Sequence, residues 1–289
     1  MKKYFFLTVC LALIGVSQAK AQAAKVALQH NGNVTLFNAD ELQKALDASV
    51  DGDTIYLNEG KFTGGVTIAK RISLIGAGQN TTVNGDVTIS ATGTFTARVL
   101  DALYITGRVI LSGVTDGINI RKCKFYGFQA NAKTDNAFID RCQSFSDSFY
   151  INSNIRSMRV VNSIIGSVSG SASNVGDVVF NNCNIKKFYS TTVATFNNCV
   201  VRNNSYSDNS YFSYCLLTSS RNSVNESNCT YNTSLDTEGV YGSDGTVVGE
   251  YGGTTPYTLV PSVPTVTSYD LKVNTTDKRL NVNISVESK

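Results

Sequence analysis

Hydrophobic positions recur at short, nearly fixed intervals along the chain, most clearly between Val160 and Tyr231. Most copies of the repeat carry an apolar residue three positions before a cysteine and another two positions after it. Two successive intervals between cysteines are 16 residues and the next is 14. Self-similarity at a short period is typical of a solenoid, in which each repeat forms one coil. The aligned position, called here the cysteine position, holds Cys123, Cys142, Ser163, Cys183, Cys199, Cys215 and Cys229.

The spacing inside each copy predicts two short strands separated by a bend. Apolar residues five and three positions before the cysteine alternate as in a strand, and so do the cysteine and the residue two positions after it. The step between these pairs is three residues, so in one straight strand the two pairs would face opposite sides of the sheet. A tight bend between them allows both pairs to face the core. Asparagine tolerates the left-handed backbone of such a bend. It precedes the cysteine position at Asn162, Asn182, Asn198 and Asn228. Stacking of the coils in register then predicts a hydrogen-bonded ladder of these amides.

A second turn precedes the cysteine position by about seven residues. It reads Thr115-Asp116-Gly117, Thr134-Asp135-Asn136 and Ser207-Asp208-Asn209, and Asp followed by Gly or Asn is typical of turns. Each coil therefore needs at least two strands and two corners, and the longer coils have room for a third strand. Coils stacked at about 4.8 Å in this way predict an all-β parallel β-helix over residues 54–253.

The amino terminus has the pattern of a secretory signal peptide. Two lysines precede an apolar stretch over 4–16, and Ala19-Lys20-Ala21 is a small-x-small cleavage site, with an alternative cut after Ala23. The apolar stretch is too short for a permanent anchor. We therefore expect residues 1–21 to be removed, no transmembrane segment in the mature chain, and a periplasmic, cell-surface or extracellular location.

Residues 22–53 are predicted to form a lead-in and a cap helix. Asn38 is a suitable N-cap, Glu41 completes a capping box, and Phe37 can contact Leu42. Such a helix would cover the open end of the solenoid, where strand edges would otherwise be unpaired.

The last predicted region, residues 254–289, begins with a linker. It carries all three prolines, at positions 256, 261 and 264. Two alternating segments on either side of a turn at 275–278 then predict a β-hairpin that serves as a C-terminal cap or as an attachment element.

The start of the predicted solenoid resembles a known family. A short helix is followed by Gly52-Asp53-Thr54-Ile55-Tyr56-Leu57, then by Gly60-Lys61-Phe62, and then by a strand that ends in Leu74-Ile75-Gly76-Ala77-Gly78. This order is similar to the opening of pectin-lyase-like right-handed β-helix proteins, over roughly residues 37–235. The resemblance implies a right-handed parallel β-helix and a groove along one strand stack. It implies little about activity, because the superfamily includes lyases, hydrolases and non-catalytic secreted proteins.

Basic residues are concentrated in the middle of the chain. Loss of Lys2, Lys3 and Lys20 with the signal peptide leaves 22 basic and 22 acidic residues, so general attraction to nucleic acid is not expected. Residues 121–202 nevertheless hold ten basic side chains and four aspartates. This basic strip is interpreted either as ordinary solvated surface or as a binding surface for an acidic glycan. Its basic residues are Arg121, Lys122, Lys124, Lys133, Arg141, Arg156, Arg159, Lys186, Lys187 and Arg202.

The cysteines are predicted to be free. Equivalent residues on stacked coils stay near the coil spacing, which exceeds the usual Cβ separation of a disulfide, about 3.8 Å. We therefore expect a column of buried thiols that act as small apolar side chains. No metal is expected, because no paired-cysteine motif is present and His30 is the only histidine.

The candidate catalytic residues are Asp116, Asp135, Arg156 and Arg159. The first three share one turn position on successive coils. An inverting hydrolase needs two carboxyl groups about 6.5–9.5 Å apart. The resemblance implies, for a lyase, an Arg or Lys base together with a cation such as Ca²⁺ for the uronate carboxylate. Ordinary turn chemistry explains the aspartates better than catalysis does, and the clustered aspartates of the family's hydrolases and the calcium site of its pectate lyases are not apparent.

Candidate ligand-binding residues are Lys186, Lys187 and Arg202, with tyrosines that can stack on sugar rings. Those tyrosines are Tyr126, Tyr150, Tyr189, Tyr206, Tyr211 and Tyr214.

Three functions remain open at this level. The first is a secreted, non-catalytic β-helix that is surface-associated, adhesive or glycan-binding. The second is a lyase or hydrolase that acts on an acidic polysaccharide. The third is a structural component of an envelope assembly, so the expected partners are a polysaccharide or other envelope proteins. The lack of a recognisable catalytic constellation favours the first.

Overall fold

The computed structural model describes residues 23–145, 149–170, 177–190, 193–202, 204–206, 210–218, 225–261, 265–274 and 279–287. The predicted signal peptide 1–21 and the predicted turn at Asp208 lie outside these residues. The described chain is almost entirely β-structure, and parallel sheets wind into a solenoid as predicted.

The first sheet has twelve strands, and all of them from β3 onwards run parallel. Its strands are Lys25–His30 (β1), Asn33–Asn38 (β2), Thr54–Leu57 (β3), Ser73–Ile75 (β6), Leu100–Asp101 (β10), Asn119–Arg121 (β13), Ala137–Asp140 (β16), Ser157–Val161 (β19), Asp177–Asn181 (β22), Thr195–Asn197 (β25), Tyr211–Ser213 (β28) and Glu226–Ser227 (β30).

The second sheet has sixteen strands and forms the other main wall of the solenoid. Its strands are Gly60–Thr63 (β4), Val66–Ile68 (β5), Thr81–Asn84 (β7), Val87–Ile89 (β8), Tyr104–Leu111 (β11), Lys124–Ala130 (β14), Gln143–Ser144 (β17), Phe149–Ile151 (β18), Ile164–Ile165 (β20), Val168–Gly170 (β21), Asn184–Ile185 (β23), Phe188–Ser190 (β24), Val200–Val201 (β26), Asn204–Tyr206 (β27), Leu216–Leu217 (β29) and Thr230–Tyr231 (β31).

Two small sheets complete the described strands. The third sheet forms at the second predicted turn and supplies the third strand for which the longer coils had room. Near the carboxyl end, two long strands pair antiparallel as the predicted hairpin. The third sheet comprises Gly93–Thr94 (β9), Thr115–Asp116 (β12) and Thr134–Asp135 (β15), and the hairpin comprises Thr265–Asn274 (β32) and Arg279–Glu287 (β33).

Equivalent side chains lie directly above one another inside the solenoid. Phe180, Phe196 and Phe212 are register partners and are fully or almost fully buried. Their rings are stacked, with centroids 5.0 Å apart for the first pair and 4.8 Å for the second. These separations match the spacing of neighbouring strands, about 4.8 Å. The core is therefore built from columns of like residues, as the repeat predicted.

The six cysteines in the described part of the chain form one of these columns and are free thiols. Cys183, Cys199 and Cys215 are completely buried, and each thiol donates to the backbone carbonyl two residues earlier. Burial raises the pKa of the Cys199 and Cys215 thiols well above the ordinary value. The prediction that these cysteines act as apolar side chains is confirmed.

The predicted asparagine bends are present, but their amides do not form the predicted ladder. Asn162, Asn182, Asn198 and Asn228 all have left-handed backbone, with φ between 45° and 55°. The described amide-to-amide bond between coils is instead one position earlier, where Asn197 Nδ2 donates to Asn181 Oδ1 at 3.0 Å. The ladder prediction was wrong because the first three bend amides contact the carboxyl-terminal segment.

The N-terminal helix begins as predicted. Asn38 and Glu41 form a capping box, a 3₁₀ turn spans Ala39–Glu41, and the α-helix (α1) spans Leu42–Ala48. Its apolar side chains face the solenoid core, where Leu42, Ala45 and Leu46 are buried.

The lead-in that precedes the helix is more ordered than the sequence indicated. Strands β1 and β2 form an antiparallel hairpin, and β1 adds to β3 of the first coil. The turn consists of Asn31 and Gly32, both with positive φ, which is the Asn-Gly signature of a tight hairpin turn.

Residues 232–261 fold back along the outside of the coils, and we call this segment the strap. The last parallel strand ends at Tyr231, within the predicted β-helix region 54–253. The strap then runs from the last coils towards the first ones. Its far end reaches Gly78, where a Cβ would lie 2.9 Å from Cγ of Pro261. No helix in the described part of the chain is long and apolar enough to span a membrane.

Candidate functional site

The turn that carries Asp116 and Asp135 forms a column along the third sheet. The two aspartates are register partners on adjacent strands, and β9 places Thr94 before them. Arg156 continues the column, because Ile155 bridges Thr134 and the Arg156 N–H donates to the Thr134 carbonyl at 2.8 Å. We call Thr94, Asp116, Asp135 and Arg156 the turn column. The structure thus brings three of the four candidate catalytic residues to one row.

Bonds within the protein already engage the carboxylates of the turn column. Asp116 Oδ1 accepts from Asn136 Nδ2 at 2.8 Å, and Asp116 Oδ2 accepts from Thr94 Oγ1 at 3.2 Å. Asp135 pairs with Lys133, with Oδ2 and Nζ 2.9 Å apart. Asp116 therefore links its turn to the neighbouring coils, and Asp135 forms an ion pair within its own turn.

The fourth candidate, Arg159, lies in a different place. It is in β19 of the first sheet, exposed, with Phe138 and Val179 as its register partners. It is therefore separated from the turn column and from the basic residues of the second sheet.

A different row on the second sheet gathers the remaining candidates. The residue three positions after the cysteine position is exposed on four coils and is a buried glycine on a fifth, and its backbone N–H donates to the carbonyl of the coil before it. This pattern holds for Phe145, Gly166, Lys186 and Arg202, with N–O distances of 2.8–3.2 Å. Tyr126 occupies the same position one coil before Phe145. We call Tyr126, Phe145, Gly166, Lys186 and Arg202 the outer column.

The first half of the outer column is aromatic. Tyr126 is 47% exposed and Phe145 is 43% exposed. Lys124 lies beside them, with its Nζ 4.4 Å from the ring centroid of Phe145 and 5.2 Å from that of Tyr104. The Tyr104 and Phe145 rings meet edge to face at 6.1 Å. The result is a partly exposed patch in which two aromatic rings, those of Tyr104 and Phe145, lie next to one ammonium group, and Tyr126 follows Lys124 by two residues on the same strand.

The second half of the outer column is basic. Lys186 and Arg202 are exposed, and their charged groups make no ion pair with any residue that the structure describes. Lys187 follows Lys186 and is half-buried. Other members of the basic strip do have partners, since Arg121 and Arg141 both bind the buried Asp140, at 3.0 and 2.6 Å. The structure thus separates internally paired basic residues from the exposed pair of Lys186 and Arg202.

Sequence reasoning found part of this row and missed the rest. It named Lys186, Arg202 and Tyr126, but it overlooked Phe145 and Tyr104. The signal was available, because alignment on the cysteine position puts Phe145 in the same column as the two cations. Of the other tyrosines, Tyr211 lies exposed on the first sheet, away from the outer column.

Metal binding has little support from the residues that are described. They contain no group of three or more His, Cys, Asp or Glu side chains that could hold an ion. The Ca²⁺ implied for a lyase therefore has no evident ligand set in the turn column.

The fold and this row together define a parallel β-solenoid with an exposed aromatic and basic column on its second sheet. Comparison with known proteins finds no matching family model, no matching curated protein and no matching solved structure.

Proposed function

We propose that this protein is a secreted, non-catalytic β-helix of the pectin-lyase-like type that binds an extended acidic glycan along the outer column. The observation that carries the proposal is the alignment, on one row of the solenoid, of two exposed aromatic rings with two exposed cations that form no ion pair among the described residues.

The chemistry of the row suits a glycan with carboxylate groups. Aromatic rings present flat apolar faces on which sugar rings can pack. Lys186 and Arg202 supply donors for carboxylates, and Arg can bind such a group through two parallel bonds. A linear polymer that lies along the solenoid axis would meet the rings first and the cations next.

The length of the row sets the size of the ligand. Tyr126 and Arg202 are four coils apart, which is about 19 Å at the usual strand spacing. A ligand must therefore be several sugar units long to reach both halves. Short fragments would contact one half and bind more weakly.

The test is direct binding of defined oligosaccharides. Calorimetry would use six-unit oligogalacturonate and oligomannuronate, with cellohexaose as an uncharged ligand of the same length. We expect binding of at least one uronate, weak or no binding of cellohexaose, and no change in oligosaccharide products after long incubation. Binding of none of the three, or release of unsaturated products, would contradict the proposal.

A pair of variants locates the ligand on the surface. The double substitution Lys186→Ala and Arg202→Ala should lower uronate affinity by at least about tenfold, because two charge-assisted contacts are lost. Arg159→Ala removes one exposed positive charge from the first sheet and should leave affinity within about twofold, since surface charges at a distance are screened by salt. Equal losses in both would show that net charge, and not the outer column, determines binding.

A further inference from the structure

The strap is fixed to the solenoid by the asparagine bends. Asn162 Nδ2 donates to the carbonyl oxygens of Glu250 and Gly252, at 3.3 and 2.7 Å. Asn182 Nδ2 donates to a carboxylate oxygen of Asp244 at 3.3 Å. These bends therefore hold the strap in one register along the coils.

Asn198 and a small apolar cluster add to this attachment. Asn198 Oδ1 accepts from both the backbone N–H and the hydroxyl of Ser243, at 2.9 and 3.1 Å. Val200 and Leu216 point outward from the solenoid and are buried by Leu235 and Val248 of the strap. The strap thus has its own polar and apolar contacts with the coils.

The strap also lies next to the outer column. It covers the row one position after the cysteine position, where Asn184 Nδ2 donates to Glu250 Oε1 at 3.1 Å and the Tyr257 hydroxyl donates to Gln143 Oε1 at 3.4 Å. The outer column lies two residues further along the chain, where each member except Tyr126 directly follows the end of a short strand. In a strand this offset is about 7 Å.

Tyr257 is the aromatic side chain of the strap on the coil that carries Phe145. It is half-buried, and its ring meets that of Tyr251 edge to face at 6.2 Å. Gln143 is two residues before Phe145, and its register partner on the preceding coil is Lys124. Tyr257 thus contacts Gln143 while Phe145 contacts Lys124, so the two aromatic side chains border the same pair of an amide and an ammonium group.

We propose that the strap is one wall of the glycan site and that Tyr257 is a ligand-contacting, specificity-determining residue. This inference rests on the proposed function. A sugar ring that lies between Phe145 and the edge of the strap would contact Phe145 on one side and Tyr257 on the other, with the Lys124 ammonium group nearby for its carboxylate. Binding and strap attachment are then coupled, and the coupling is reciprocal: the ligand stabilises the attached strap by the factor by which the strap raises affinity.

Substitution of Tyr257 tests the contact itself. With six-unit oligogalacturonate as the probe, Tyr257→Ala should lower affinity by about three- to tenfold. Tyr257→Phe keeps the ring and should stay within about twofold of the native affinity. Tyr241→Ala removes an exposed tyrosine at the other end of the strap and serves as the matched control, with unchanged affinity expected.

Substitution of the bends tests the coupling without touching the ligand. Asn162→Gly with Asn182→Gly removes the amides, and glycine accepts the same left-handed backbone. Asn228→Gly is the matched control, because Asn228 has the same backbone and its amide bonds Ser227 instead of the strap. We expect the double variant to be cut faster within the strap by chymotrypsin, at Tyr241 or Tyr251, and to lose affinity. Oligogalacturonate should slow cleavage of the native strap.

The outcomes separate the two proposals. Uronate binding that is indifferent to Tyr257→Ala and to the double glycine variant, while cleavage of the strap rises, would overturn this inference and leave the proposed function intact. Failure of the native protein to bind oligogalacturonate or oligomannuronate would overturn the proposed function and this inference together. Loss of affinity in Tyr257→Ala, rescue by Tyr257→Phe and protection of the strap by ligand would support both.

Discussion

The turn column and the outer column both carry charged side chains on successive coils, yet they differ in how those charges are satisfied. In the turn column, Asp116 accepts two hydrogen bonds from neighbouring coils and Asp135 pairs with Lys133. In the outer column, Lys186 and Arg202 have no ion-pair partner among the described residues and stand in line with exposed aromatic rings. A charged group that is already bonded within the protein stabilises the fold and needs no ligand to account for it. Exposed charged groups in a row without such partners are available to bind a ligand.

Reversal of charge in the outer column should have the largest effect. With Lys186→Glu and Arg202→Glu together, two attractive contacts with an acidic glycan become repulsive, so we expect affinity to fall by more than about 100-fold, or roughly 3 kcal/mol. The free energy of unfolding should change by less than about 0.5 kcal/mol, as for other exposed positions. Calorimetry with oligogalacturonate and urea denaturation measure the two quantities, and a large loss of stability would make this column structural.

Removal of Asp116 should show the opposite behaviour. Asp116→Ala leaves Asn136 and Thr94 without their acceptor at the protein surface, where water can replace it in part, so we expect destabilisation of about 0.5–1.5 kcal/mol. Oligogalacturonate affinity should stay within about twofold, because the turn column is not part of the proposed site. Urea denaturation measures the change in the free energy of unfolding. Loss of binding in a variant of native stability would instead show that Asp116 takes part in ligand binding.

Removal of Asp135 should lower the free energy of unfolding by a smaller amount. Its partner Lys133 is more than half exposed, and exposed ion pairs contribute less than about 1 kcal/mol. Asp135→Ala should therefore lower the free energy of unfolding by less than Asp116→Ala does. A result in the reverse order would mean that the contacts of Asp116 with neighbouring coils do not stabilise this turn.

Acid should weaken the strap locally, and this is the smallest expected effect. Burial acts to raise the pKa of the Asp244 carboxyl, but hydrogen bonds from Thr246 and Asn182 outweigh it, so the pKa is lower than usual. A lowered pKa in the folded state contributes stability above the ordinary aspartate pKa of about 3.9, and that contribution is lost as pH falls through the folded value.

An NMR titration between pH 6 and pH 3 would measure this loss. The amide signals of Gly242 and Gly252 should shift at the acid end in the native protein. Asp244→Asn keeps an acceptor and cannot titrate, so it should flatten the change. Identical titrations in the two proteins would exclude Asp244 as the cause.

The coils could be predicted from the sequence because their information is local and repeated. Asn182 and Asn198 indicate a bend through their backbone preference alone, and the apolar alternation on either side sets the strands. Cys183 and Cys199 lie in one buried column because the spacing forces them there. The capping box at Asn38 and Glu41 is local in the same sense.

The strap could not be predicted because its contacts are remote in sequence. Asn162 and Gly252 are 90 residues apart, and nothing in the strap repeats the pattern of the coils. For the same reason the bend amides were expected to bind one another, although Asp244, Glu250 and Gly252 bind two of them. Only part of the candidate site was predicted, because the outer column is recognisable only when all coils are aligned. In that alignment Phe145 and Lys186 occupy the same position, but Phe145 was not named as a candidate.

Because the cysteines lie on different coils of one column, the accessibility of each thiol depends on whether its own coil has opened. Among the six cysteines that the structure describes, Cys229, on the last described coil, is the only one that is not fully buried, whereas Cys215, Cys199 and Cys183 lie one, two and three coils further from that end. In a solenoid, each coil is supported mainly by its neighbours, so coils at an end can open before those in the middle. The order in which an alkylating reagent modifies these thiols would then show the order in which the coils separate, without any introduced label.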